Sequence, residues 1–239
     1  RGKTDCYDLA TRVPLMVRWP KRIPSARRVE DFVSIMDIGP TLLELSKVEV
    51  PSTMDGRSFL NKLTSKKSGW IDRNWDSVII GRELHFHNSR PGNMPYPMRA
   101  VRTKDYLYIR NFKPKRWPMG NPYDSAKLNM PDDLYKMGLS TKPAYRDLDG
   151  SLTKAWMMSR REEPVDKELF RLTMHPRSGE ELYDIVNDPD QLVNLATEPK
   201  FSSVVTSLRA RVEQVMNNSN DPRIKDAFDR LPWVDSTKP

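Results

Sequence analysis

Apolar residues follow several rhythms along the chain, and each predicts a different element. Residues 13–19, Val-Pro-Leu-Met-Val-Arg-Trp closed by Pro20, form a nearly continuous apolar run. Such a run predicts a strand buried on both faces of an α/β sheet. Asp37 and Gly39-Pro40 then mark a helix start, with Leu42, Leu43 and Leu45 supplying its apolar face. Val50-Pro51 and the turn Met54-Asp55-Gly56-Arg57 end that unit, and residues 64–69, Thr-Ser-Lys-Lys-Ser-Gly, read as a linker. The expected boundary separates residues 1–66 from residues 67–239.

Beyond it the pattern shifts to short β-rich pieces at 77–82, 98–103 and 106–110, the last two joined at Lys104-Asp105 as a hairpin. Residues 113–154 are studded with Pro and Gly and read as a long irregular stretch that lines a site or wraps a surface. Another strand is expected at 181–185. Phe201, Val204, Val205, Leu208, Val212, Val215 and Met216 recur at helical spacing, which predicts an amphipathic helix covering the antiparallel sheet. No internal repeat or low-complexity tract interrupts this order.

Composition narrows the class. The chain has 239 residues, 37% of them hydrophobic, with six Trp, eight Tyr and seven Phe, enough to build a core. No apolar run approaches the ~20 residues that cross a bilayer, so no membrane span is expected in this segment. One cysteine, Cys6, excludes an internal disulfide and a cysteine-based zinc cage. Forty Lys and Arg against 32 Asp and Glu give a net charge of +8, which favours an anionic partner: nucleic acid, phosphate or a sulfated sugar. Charge alone does not choose among them, and the basic clusters at Lys21-Arg22, Arg27-Arg28 and 113–116 are short.

The residues able to carry chemistry are few. Lys3 stands alone just ahead of the apolar run, and Arg1 is no initiator methionine, so the chain reads as the second half of a larger protein. His85 and His87 are two apart, a spacing that on a strand puts both on one face. Metal binding needs further ligands and none is obvious nearby, whereas Arg82, His85 and Asn88 can all donate hydrogen bonds to an anionic or hydroxylated substrate. The 110–118 loop mixes cations with aromatics, but its prolines stiffen it, which reads as a fixed loop packed on a neighbouring domain. No phosphate-cradling Gly-rich loop, His-Glu-x-x-His helix or Gly-x-Ser-x-Gly elbow is present, and nothing marks a base beside Cys6.

The order of motifs has a family likeness. Gly2-Lys3-Thr4, Tyr7, Arg12-Val13-Pro14-Leu15, Trp19-Pro20, Val33-Ser34, the run Asp37-Ile38-Gly39-Pro40-Thr41-Leu42-Leu43, Asp55-Gly56-Arg57-Ser58, Glu181-Leu182-Tyr183-Asp184, and Asp188-Pro189 with Asn194-Leu195-Ala196 resemble the C-terminal half of type I sulfatases. Tyr96-Pro97-Met98-Arg99-Ala100-Val101 and the 111–118 loop look most like the heparan N-sulfatase (sulfamidase)-like members. The resemblance implies an alkaline-phosphatase-like α/β fold. Residues 1–66 would be the last part of the large catalytic domain, and 67–239 a smaller α+β domain with a four-stranded antiparallel sheet and a C-terminal helix. It also implies a sulfated glycan or other sulfate ester as substrate, and a periplasmic, extracellular or lysosomal location.

In that family a cysteine in Cys-x-Pro-Ser-Arg becomes formylglycine and calcium holds the sulfate. Neither the motif nor the calcium ligands are in this chain, where Tyr7-Asp8-Leu9 follow Cys6, so no metal ligand is assigned and an upstream sulfatase segment is implied as partner. Lys3 matches the family's active-site lysine, and Arg82, Glu83 and His85 lie where sulfamidase-like members bring side chains to the substrate. Asp8-Leu9-Ala10 departs from the common Glu-Gly-Gly. The resemblance makes the chain inactive alone; the competing reading is a stand-alone carbohydrate- or polyanion-binding module. A nucleic-acid partner rests on charge alone and is not expected.

Overall fold

In the computed structural model, which describes residues 2–123, 132–225 and 229, the chain divides into two units. One comprises residues 1–12, 79–101 and 105–239; the other comprises 13–78 with 102–104.

Four strands form one sheet in the order β1 (Ser77–Arg82), β2 (Met98–Thr103), β3 (Tyr106–Asn111), β4 (Glu180–Asp184). All four were legible in the alternation, and β3 pairs antiparallel with β4, Tyr108 opposite Leu182 and Ile109 opposite Glu181. Period-two geometry sends Val101, Tyr108 and Leu182 to one face, where the last long helix (Ser202–Asn218) lays Val205, Leu208, Val212 and Met216 on them. Met98, Ala100, Leu107, Ile109 and Tyr183 line a cluster with Cys6 and Tyr7 from the start of the chain. A four-residue helical turn, α1 (Asp8–Thr11), comes next.

Sheet and helix are also tied by charge. Arg209 donates from Nε and Nη2 to the two oxygens of Glu180 at 2.6 and 2.7 Å, and the Tyr108 hydroxyl donates to the same carboxylate. The Arg209 hydrogen bonds hold the Glu180 carboxyl below its ordinary range. A carboxyl depressed by folding stabilises above its ordinary pKa, about 4.3, and that stabilisation is lost as pH falls through the depressed value. Glu180→Gln should therefore lower stability at pH 7 and flatten its fall in acid. Urea unfolding from pH 7 to 3 reads both, and an unchanged acid slope would refute the linkage.

The 113–154 stretch is less irregular than expected. It contains α4 (Asp132–Gly138) and the start of α5 (Leu152–Ser159), and α6 (Lys167–Met174) lies beyond. Helices this short lean on tertiary packing rather than on periodicity, so the sequence hides them. Met119, Leu134, Ala144, Tyr145, Met158, Phe170 and Met174 form their shared core. Contact is so close that a Cβ on Gly138 would lie 2.3 Å from the Ala155 Cα.

In the second unit the expected strand at 13–19 does not form: these residues have no regular structure and Met16 is 90% exposed. A strand buried on both faces needs neighbours for its backbone and side chains, and among the described residues no strand pairs with this one. The helix after it forms as α2 (Ile38–Leu45), yet Leu42 and Leu45 are exposed and its buried residues are Pro40 and Thr41. Buried Asp37 ties the unit together, its two oxygens accepting from the Ser34 and Arg57 amides at 2.8 and 2.7 Å. The Thr41 hydroxyl accepts from the Phe59 amide, just ahead of α3 (Leu60–Thr64). At the predicted turn, a Cβ on Gly56 would sit 2.2 Å from the Met36 carbonyl oxygen, so only glycine fits. The 64–69 linker is pinned rather than free, Arg27 donating to the Lys62, Leu63 and Lys67 carbonyls and to that of Ser65. No helix among the described residues is long and apolar enough to cross a membrane. With α1 to α6 placed in chain order, the Ser202–Asn218 helix is α7.

Candidate functional site

The segment bearing Lys3 is fixed to the sheet by its next few residues. Asp5, Cys6 and Tyr7 are buried. The Tyr7 and Tyr183 hydroxyls donate to one oxygen of Glu181 at 2.6 and 2.5 Å, and the Asn111 amide donates to the other at 2.6 Å. The Asp8 amide donates to Gln191 Oε1. A buried carboxylate with three donors is a firm anchor, so the turn carrying Lys3 is held to β4. Burial, reinforced by the charge of Asp5, pushes the Cys6 thiol up to about 12. It stays a thiol at neutral pH and serves as core rather than nucleophile.

Lys3 Nζ lies 3.0 Å from Asp149 Oδ2, with side chains 63% and 70% exposed. That hydrogen bond, then the Lys3 charge, holds the Asp149 carboxyl below its ordinary range; His85 and Lys154 add smaller contributions in the same direction. Lys3 and Asp149 thus form one exposed pair, and exposed His85 bears on it through its charge. Asp149 carried no signal in the sequence beyond its place in Asp147-Leu148-Asp149-Gly150.

Two residues before Asp149, Asp147 holds a buried charge cluster. Asp147 is wholly enclosed: its Oδ2 accepts from Arg82 Nη2 at 2.5 Å and Arg90 Nη2 at 2.7 Å, its Oδ1 from the Ser89 hydroxyl at 2.8 Å and the Phe86 amide at 3.2 Å. Both arginines also donate to the Pro118 carbonyl. Glu83 accepts from Arg99 Nη2 and Arg223 Nη2, each at 2.8 Å, and the Arg223 side chain is itself inaccessible. Arg82 is therefore engaged in an enclosed ion pair and Glu83 in partly buried ones, while His85 and His87 are exposed. The two histidines share no strand face, because β1 ends at Arg82 and the chain bends through them.

A cavity of about 300 Å³ opens beside Ser89 and Arg90, lined also by Asn88, Asn121, Pro143 and Arg146. That is the small end of ligand-pocket volumes and suits a compact polar ligand. The loop cations that invited a polyanion reading are largely paired: Arg110 with Glu213, and Arg116 and Lys113 with Asp229. Among the described residues no three His, Cys, Asp or Glu side chains gather as a metal ion requires, so they do not fit a calcium site.

Comparison with known proteins gives one consistent result. The model of the family described as N-sulphoglucosamine sulphohydrolase, C-terminal, matches residues 2–162. An ulvan-active sulfatase of Formosa agariphila is 27% identical over 207 residues, covering 87% of this chain and 33% of that protein. The N-sulphoglucosamine sulphohydrolase of Homo sapiens is 26% identical over 231 residues, covering 92% and 39%. The chain thus spans about a third of the length of these relatives. A solved structure in complex with its substrate D-glucosamine-2-N,6-O-disulfate is similar in fold, with a TM-score of 0.51 at 17% identity, covering 87% of this chain and 29% of that one.

Proposed function

The chain belongs to the N-sulphoglucosamine sulphohydrolase C-terminal family, and from that membership we propose that it is the C-terminal part of an enzyme hydrolysing a sulfate ester or N-sulfate on a glycan. Its fold is the alkaline-phosphatase-like one of sulfatases, seen here in the four-stranded antiparallel sheet and C-terminal helix. The observation that supports the reading is the exposed pair of Lys3 with Asp149, a carboxylate that the His85 charge also lowers.

A sulfate group is an anion that no buried base can neutralise, so its site needs fixed cations. Lys3 would set its ammonium against a sulfate oxygen, and in doing so exchange the Asp149 carboxylate for the substrate. His85 would donate to the sulfate or a neighbouring sugar oxygen, and Asp149, once released, would accept from a sugar hydroxyl or ammonium. Arg82 and Glu83, proposed as substrate contacts on resemblance, would act mainly by holding the His85 loop through Asp147, Arg99 and Arg223. Formylglycine supplies the nucleophile and calcium the electrophilic grip in this chemistry. Cys6 lies outside the Cys-x-Pro-Ser-Arg motif and the described residues gather no such metal site, so both would come from elsewhere in the full-length protein.

The full-length protein should release sulfate from N- or O-sulfated glucosamine, and His85→Ala should raise KM about ten-fold, the scale of one hydrogen bond to a charged group. Absence of desulfation, with salt-sensitive heparin binding by this chain alone, would instead make it a polyanion-binding module.

A further inference from the structure

Lys154 is the third residue of α5, yet its side chain turns inward and the residue is only 2% exposed. Its ammonium meets five backbone carbonyl oxygens: Ala144 at 2.7 Å, Ser140 and Leu148 at 3.2 Å, Tyr145 at 3.3 Å and Thr141 at 3.4 Å. Three N–H donors shared among five oxygens resembles the ligation of a bound cation more than an ion pair. Among the described residues no carboxylate hydrogen-bonds to it. Burial lowers the ammonium to about 8, opposed by the charge of Asp149.

All five carbonyls belong to one loop, residues 139–150, whose ends are drawn together. The Ser151 amide donates to the Gly138 carbonyl at 3.1 Å and the Gly150 amide to Thr141 Oγ1 at 2.9 Å. A Cβ on Gly150 would fall 2.4 Å from the Leu139 oxygen, so the neck admits no side chain. This is a closed surface loop with an ammonium at its centre. Within it Tyr145 keeps a φ of 46°, a conformation a bulky residue holds only when its surroundings impose it. Asp147 and Asp149 lie on the same loop, one bound to Arg82 and Arg90, the other to Lys3.

We propose that Lys154 is a positioning residue of the candidate site: its ammonium takes the place of a structural cation in the 139–150 loop, and so holds Asp149 against Lys3 and Asp147 against its two arginines. The bearing on desulfation rests on the function proposed above; the effect on Asp149 does not.

The test uses the full-length protein with labelled aspartate carboxyls, the Asp149 signal being assigned from Asp149→Asn. In Lys154→Met, which keeps the apolar stem, Asp149 should titrate in the ordinary aspartate range. KM for the sulfated saccharide should rise roughly ten-fold, the scale of outer-shell positioning effects, with kcat falling less. In Lys154→Ala, n-propylammonium supplies the missing three carbons and ammonium and should restore both values; tetramethylammonium, with no N–H, should restore neither. A folded Lys154→Met protein with Asp149 still titrating low would overturn the proposal. So would variants that stay unfolded or impaired whatever amine is added, which would make Lys154 an ordinary core residue. If the wild type desulfates nothing, the proposed function fails while the Asp149 titration still decides this one.

Discussion

Replacing Asp147 by alanine should cost the fold about 3–5 kcal/mol, the usual penalty for removing one partner of a buried ion pair. Arg82 and Arg90 both end on Asp147 Oδ2, and their side chains are only 8% and 2% exposed. With the carboxylate gone, two guanidinium groups would face each other in a low-dielectric interior, with the Pro118, Trp117 and Met94 carbonyls as their remaining acceptors among the described residues. The Phe86 amide would lose its acceptor as well, and the Ser89 hydroxyl would keep only the Phe86 carbonyl. Against a typical domain stability of about 5–15 kcal/mol, a loss of that size leaves the 83–90 and 139–150 loops close to melting. Asp147→Asn keeps the shape and one acceptor oxygen but removes the charge, so it should fall between alanine and wild type. Denaturant unfolding of the three proteins orders them. A loss below about 1 kcal/mol for alanine, within the range of surface pairs, would mean that the arginines find other partners and that Asp147 does not brace the site.

The contrast between Asp147 and the sheet shows what a sequence can and cannot carry. Tyr106 to Asn111 alternate because neighbouring side chains point to opposite faces, and Val205, Leu208, Val212 and Met216 repeat because a helix turns once in 3.6 residues. Those are local rules, and both elements were legible. The run at 13–19 obeys a local rule too, but burial on two faces depends on neighbours, and the described residues provide none. Lys3 and His85 stood out through motif order and through the scarcity of histidine. Asp149 and Lys154 did not, because their parts depend on where a twelve-residue loop closes on itself. Lys154 falls within the first turn of a short helix, where a lysine ordinarily faces water; only the five carbonyls around it reveal that it faces inward.

Lys3→Ala should abolish most of the turnover of the full-length enzyme, by roughly 10²–10³-fold in kcat, the range lost when one fixed donor to developing negative charge is removed. As the bond from sulfur to the leaving oxygen or nitrogen breaks, charge gathers on groups that a preorganised ammonium stabilises more in the transition state than in the bound substrate. The effect should therefore appear in kcat and kcat/KM together. The structure separates this from a folding defect. Lys3 and Asp149 are both largely exposed, and an exposed pair contributes little to stability. The anchor of the segment is the buried Tyr7–Glu181–Tyr183 arrangement, which the substitution leaves intact. Thermal unfolding of Lys3→Ala should match wild type while turnover collapses. Lys3→Arg should recover only part of the rate, because a planar guanidinium does not reproduce a compact ammonium in a site built for one. Near wild-type turnover in Lys3→Ala would remove Lys3 from the reaction and leave it as a surface ion-pair partner of Asp149. Equal losses of stability and rate would assign it to the fold.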